Sequence, residues 1–77
     1  MQKLLAAIKN CFPEADVSHL KAETKMAEIP GWDSMNAINL VLEIETTLGC
    51  SNLSIEFGDN TTFGQLCQEL RAAGVAL

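Results

Sequence analysis

The sequence predicts a small all-α bundle of three main helices plus a short irregular or helical segment. Three observations carry this expectation. The chain has 77 residues, apolar residues recur at helical spacing in three stretches, and proline or glycine breaks separate those stretches. A chain this short forms one domain, residues 1–77, and buries only about 60 % of the surface its unfolded form exposes. A deep catalytic cleft is hard to wall on that scaffold. Size alone therefore favours a carrier or binding module over an enzyme.

The first helix is read over residues 2 to 12, where Leu4, Leu5, Ile8, Cys11 and Phe12 share one face. Pro13 stops it, because the residue before a proline is pushed out of helical geometry. From Pro13 to Trp32 the pattern is polar and broken. Val17, Leu20, Met26 and Ile29 are spaced like pins that hold a long connection to a core. Connections of this length are uncommon in compact domains and often carry function. Ile29-Pro30-Gly31-Trp32 is a forced break, after which Asp33 or Ser34 is a good N-cap.

A second helix is expected from about Ser34 to Leu48, closed by Gly49. On a wheel of about 100° per residue, Ala37, Leu40, Val41, Ile44 and Leu48 fall on one face. Asn36, Asn39, Glu43, Thr46 and Thr47 fall opposite, with Met35, Ile38 and Leu42 along one border and Glu45 near Ile38. The apolar arc is wider than one core contact needs. It suits either a docking border or a second neighbour in the bundle. Leu53, Ile55 and Phe57 alternate as in a strand. A lone strand has no partner, so this stretch is read as a short helix or pinned loop. Thr62 and Gln65 form a capping box, Phe63, Leu66, Cys67 and Leu70 make the last stripe, and Gly74 closes it.

Composition excludes several classes. Ten acidic against five basic residues give a net charge of -5, and Lys3, Lys9, Lys21, Lys25 and Arg71 are scattered singly. Nucleic-acid binding needs clustered positive charge. Cys11, Cys50 and Cys67 are odd in number and far apart, with one histidine in the chain. That is neither a disulfide framework nor a zinc site. No apolar run approaches the roughly 18 residues of a membrane span, and the N-terminus lacks a signal-peptide layout. A cytoplasmic, soluble monomer without membrane insertion is expected.

The chemistry centres on Gly31-Trp32-Asp33-Ser34-Met35. An Asp-Ser pair alone is an ordinary cap. Here the serine ends a long loop, a tryptophan precedes the pair, and a long helix with an apolar border follows. The stretch from Ile29 to Met35, leading into Leu40-Val41-Leu42-Glu43-Ile44-Glu45, together with Thr61-Thr62-Phe63-Gly64-Gln65-Leu66, resembles the acyl carrier protein family. The resemblance covers most of the chain. It implies an acyl-carrier-like bundle with a 4'-phosphopantetheine arm on Ser34, attached from coenzyme A by a phosphopantetheinyl transferase that uses magnesium.

By the same resemblance, an acyl-loading ligase or acyltransferase would charge the arm as a thioester, and synthase enzymes of fatty acid, polyketide or related metabolism would unload it. Asp33 would position the junction and meet the transferase. Asp33, Met35, Asn39, Leu42 and Glu45 would form the partner face. Asn36 and Asn39 depart from the family, standing where acidic residues are common; the ambiguous stretch from Leu53 to Asp59 is a second departure. The carrier itself would not be an enzyme.

Three other readings stand beside it. A serine hydrolase would need a base near Ser34, and His19 is the one candidate. An unmodified helical interaction module would use Asp33 and Ser34 only as caps, with Met35, Ile38 and Leu42 binding a partner helix. A peptidyl or aminoacyl carrier is a near neighbour, although Trp32-Asp33 looks closer to stand-alone acyl carriers.

Overall fold

The computed structural model describes residues 1–53 and 55–77. Its helices are α1 (Gln2–Cys11), α2 (Ser34–Leu48) and α3 (Phe63–Ala72), with single 3-10 turns at Val17–His19 and Met26–Glu28. Among the described residues, β structure is limited to one isolated antiparallel bridge between Lys25 and Thr62. The architecture is the small all-α bundle that the apolar spacing predicts.

Helix α1 ends at Cys11, one residue short of the predicted limit. Phe12 leaves helical geometry at φ -130°, ψ 78°, as a residue before proline tends to. Its N–H still donates to Ile8 O at 2.8 Å, and its ring is buried with Leu4 and Ile8. These side chains pack against Leu40 and Ile44 of α2 and Leu66 and Leu70 of α3 in one core.

The long connection is pinned as the sequence implies. Met26 and Ile29 are buried, while Val17 and Leu20 are half-buried against the core. Backbone hydrogen bonds add a seam. Met26 N–H donates to Thr61 O at 2.8 Å, Phe63 N–H to Thr24 O at 2.8 Å, and Gly64 N–H to Ala22 O at 2.9 Å. Phe63 and Gly64 open α3, where backbone donors have no partner inside the helix. The loop carbonyls supply those partners. Thr62 and Gln65 complete the predicted capping box, with Gln65 N–H donating to Thr62 Oγ1 at 3.2 Å and Thr62 N–H to Gln65 Oε1 at 2.8 Å.

Both C-termini close through a left-handed glycine. Gly49 has φ 68° and Gly74 φ 84°. Cys50 N–H reaches back to Glu45 O at 3.1 Å, and Val75 N–H to Leu70 O at 2.9 Å. Between α2 and α3 the chain takes no regular form over its described residues. Leu53, Ile55 and Phe57 are half-buried against the core, which is the pinned loop of the two predicted alternatives. Ser54 lies outside the described residues. Met1, Leu48, Ala76 and Leu77 border one hollow, so the chain ends meet at the end of α2 remote from Ser34.

Of the five glycines, Gly64 lies closest to a neighbouring segment. A Cβ there would stand 2.9 Å from Ala22 O and 3.1 Å from Ala22 Cβ. Ordinarily a helical glycine replaced by alanine gains up to about 1 kcal/mol. Here Gly64→Ala is expected to cost about 2 kcal/mol, because loop and helix must separate. Urea denaturation of the two proteins measures the sign directly.

Candidate functional site

The site begins with a turn. Trp32 N–H donates to Ile29 O at 3.0 Å, closing Ile29-Pro30-Gly31-Trp32. Gly31 has φ 88°. Proline second and a positive-φ glycine third are the marks of a type II turn. A Cβ on Gly31 would sit 3.7 Å from Phe12 Cδ1, so space is ample and the backbone conformation is what requires glycine.

The turn delivers Trp32 between two rings. Its indole stacks on Phe12 with centroids 5.3 Å apart at 19°, and meets Phe57 edge-on at 5.0 Å and 77°. Such aromatic pairs contribute about 0.5–1.5 kcal/mol beyond their buried area. The trio ties three parts of the chain together: the end of α1, the loop before α2, and the irregular segment before α3. Sequence spacing flags each ring as apolar but does not reveal that they meet.

Asp33 caps α2 in extended geometry, φ -153° and ψ 175°. Its Oδ1 accepts from Asn36 N–H at 2.7 Å. Asn36 also donates through Nδ2 to Gly31 O at 2.9 Å. Ser34 is the first residue of α2 and is exposed. No hydrogen bond among the described residues engages its hydroxyl. The serine is therefore held by its backbone at the head of the helix.

Beside Ser34 opens a groove of ≈ 590 Å³, bordered by Ala37, Ile38, Val41 and Leu42 of α2 and by Leu53, Ile55 and Phe57 of the irregular segment. Glu45 and Glu56 are the charged residues on its rim. Glu45 is half-buried, and its Oε2 accepts from Leu53 N–H at 3.1 Å. This carboxylate pins the far wall of the groove. On the outer side of α2, Met35 is 72 % exposed, Ile38 64 % and Leu42 55 %, and Asn39 is exposed beside them. The border on the helical wheel is thus an apolar surface strip, not a second core contact.

The proposed partner residues divide accordingly. Asp33 is a cap, Met35, Asn39 and Leu42 face solvent, and Glu45 turns to the groove. Two contributors named in the sequence were not assigned to the site. Phe57 forms both groove wall and Trp32 contact, and Asn36 ties turn to helix. The Leu53-Ile55-Phe57 alternation was the available signal for a one-sided apolar wall.

His19 lies elsewhere. Its Nδ1 pairs with Asp16 Oδ2, and Ser18 Oγ donates to Asp16 Oδ1 at 2.6 Å. Hydrogen bonds from Ser18 and His19 hold the Asp16 carboxyl below its usual range. His19 borders a separate small hollow with Leu20, Thr24 and Pro30, so the imidazole is not aligned on Ser34. Burial raises the thiol pKa of Cys11, helped by Glu43, and burial raises that of Cys67. Neither thiol favours the reactive thiolate at neutral pH. No group of three or more metal-ligating side chains forms among the described residues, and no helix among them is long and apolar enough to cross a membrane.

Known proteins add one finding. The chain is 36 % identical over 73 residues to a segment of the non-reducing polyketide synthase dpmpA of Macrophomina phaseolina (strain MS6), covering 95 % of this chain. It spans about 3 % of the length of that relative. No family model and no solved structure matches the chain.

Phe57→Ala is expected to uncover one side of the single tryptophan. Its emission should shift to the red with helical circular dichroism unchanged, and unfolding free energy should fall by about 2 kcal/mol. Asp33→Ala should remove the α2 cap at a cost of about 1 kcal/mol, read from the thermal midpoint. Asp33→Asn, which keeps an accepting oxygen, should recover most of that loss.

Proposed function

We propose that this chain is an acyl carrier domain, bearing a 4'-phosphopantetheine arm on Ser34 and serving polyketide or related acyl-transfer enzymes. One observation carries the reading: an exposed serine at the first position of a 15-residue helix, its hydroxyl unengaged among the described residues, next to an open apolar groove. The resemblance of the Asp33-Ser34-Met35 stretch to acyl carriers supports it. So does the similarity to a short stretch of a polyketide synthase, since such synthases carry domains of this kind.

The residues present fit the group. Ser34 is exposed where another protein can reach it, and it needs no local base because the transferase takes its proton as the oxygen–phosphorus bond forms and the pyrophosphate bond of coenzyme A breaks, releasing adenosine 3',5'-bisphosphate. The backbone N–H groups of Ser34 and Met35 stand at the positive end of the α2 dipole. A phosphodiester there is favoured by about 0.3–1 kcal/mol. Once attached, the arm supplies a terminal thiol that holds the cargo as a thioester. Asp33 keeps Ser34 on the first turn, and Leu53, Ile55 and Phe57 give an apolar wall along which cargo can lie. Met35, Asn39 and Leu42 present a surface to the transferase, the loading enzyme and the synthase. Cargo choice then belongs to those partners.

The exposed strip of Met35, Ile38 and Leu42 also fits a second reading, an unmodified module that docks on a partner helix. Incubation with coenzyme A, magnesium and a broad-specificity phosphopantetheinyl transferase separates the two. Intact mass analysis should show one arm on the wild type and none on Ser34→Ala. An unmodified wild type, beside a control carrier modified in the same tube, would favour the docking module.

A further inference from the structure

We infer that Asn36 is a positioning residue for modification at Ser34, acting by locking the Gly31 turn to the head of α2. The inference rests on the carrier reading and extends it to a side chain two positions beyond the attachment point.

Asn36 holds the junction at two places. Its backbone N–H is bound by Asp33 Oδ1 at 2.7 Å, and its side-chain Nδ2 donates to Gly31 O at 2.9 Å. Gly31 and Asp33 flank Trp32, so the two bonds close a ring over residues 31 to 36. Ser34 lies inside that ring. The Trp32 stack fixes the indole, and the Ile29–Trp32 hydrogen bond fixes the turn internally. Neither bond sets the angle between turn and helix. The Asp33 cap and the Asn36 amide do.

The tie is specific to a side chain that donates. An ionised carboxylate accepts only and would face the Gly31 carbonyl oxygen across 2.9 Å with no proton to share. Asparagine at this position exchanges a favourable negative charge in the first helical turn for a donor. That exchange makes sense where the geometry of the turn matters more than helix stability. Asn36 is half-buried and lines a shallow hollow with Phe12, Pro30 and Gly31.

Loss of the amide donor should let the turn rock against α2 and lower the fraction of molecules that present Ser34 correctly. The apparent affinity of the transferase falls by that fraction, while the hydroxyl once captured reacts as before. Asn36→Ala and Asn36→Asp should each raise the transferase KM for the protein about five-fold and leave kcat within about two-fold. Hydrogen exchange at the Trp32 amide should quicken in both free variants. The KM rise in Asn36→Asp should persist at high salt, since lost positioning and not added charge causes it.

An Asn36→Ala KM equal to wild type would overturn the inference. So would a raised KM with unchanged Trp32 exchange, because the side chain would then be touching the transferase rather than holding the turn. Unfolding of both variants at the assay temperature would also overturn it, making Asn36 a residue of the fold at large. A wild type that the transferase leaves unmodified would sink the carrier reading itself; failure of the Asn36 effect on a modified wild type would sink this inference alone.

Discussion

The structure depends on Trp32 being held between Phe12 and Phe57. A bundle of three short helices leaves long stretches of chain to be ordered, and each ordered residue costs about 1–2 kcal/mol of backbone entropy. Packing one half-buried aromatic ring against two others offsets part of that cost at a single point. The point chosen is where α1 ends, where α2 begins and where the irregular segment passes. The elements of the site gather around it: the turn at Gly31, the cap at Asp33, the exposed Ser34 and the Phe57 side of the groove wall.

That arrangement separates rigid backbone from free side chain. Ser34 belongs to a helix whose first turn is capped and whose preceding loop is stapled, yet its hydroxyl faces solvent with no partner among the described residues. A group to be modified by a second protein benefits from this pairing, because capture of a preset geometry avoids the cost of ordering it in the complex. The surroundings of Ser34 are apolar with an acidic rim. The exposed strip is apolar, the groove rim carries Glu45 and Glu56, and the five basic residues are dispersed along the sequence.

Much of the fold was legible because its signals are local. Helix α2 was readable from Pro30-Gly31, the Asp33 cap and Gly49, and α3 from the Thr62–Gln65 box, since each depends on residues within a turn of one another. The place of Ser34 at the head of α2 was legible for the same reason. The contacts that assemble the site were not, because they join residues distant in sequence. Phe12 and Trp32 are 20 residues apart and Trp32 and Phe57 25, and no periodicity links them. The seam from Ala22 and Thr24 to Gly64 and Phe63 is made by backbone atoms, which leave no side-chain signature. The stretch from Leu53 to Phe57 alternates like a strand, but with no neighbouring strand its apolar residues simply lean on the core. The wheel places Glu45 near Ile38, and the resemblance puts it on the partner face; its bond from Leu53 N–H is long-range and invisible to both.

The central claim is that Ser34 is a hydroxyl displayed for another enzyme to esterify. Peptide-level mass spectrometry of this protein recovered from cells that make it tests that claim most directly. The account expects the peptide containing Ser34 to carry a phosphopantetheine, wholly or in part, with fragmentation locating it on that serine. A Ser34 peptide found only bare, or an arm mapped to another residue, would contradict it.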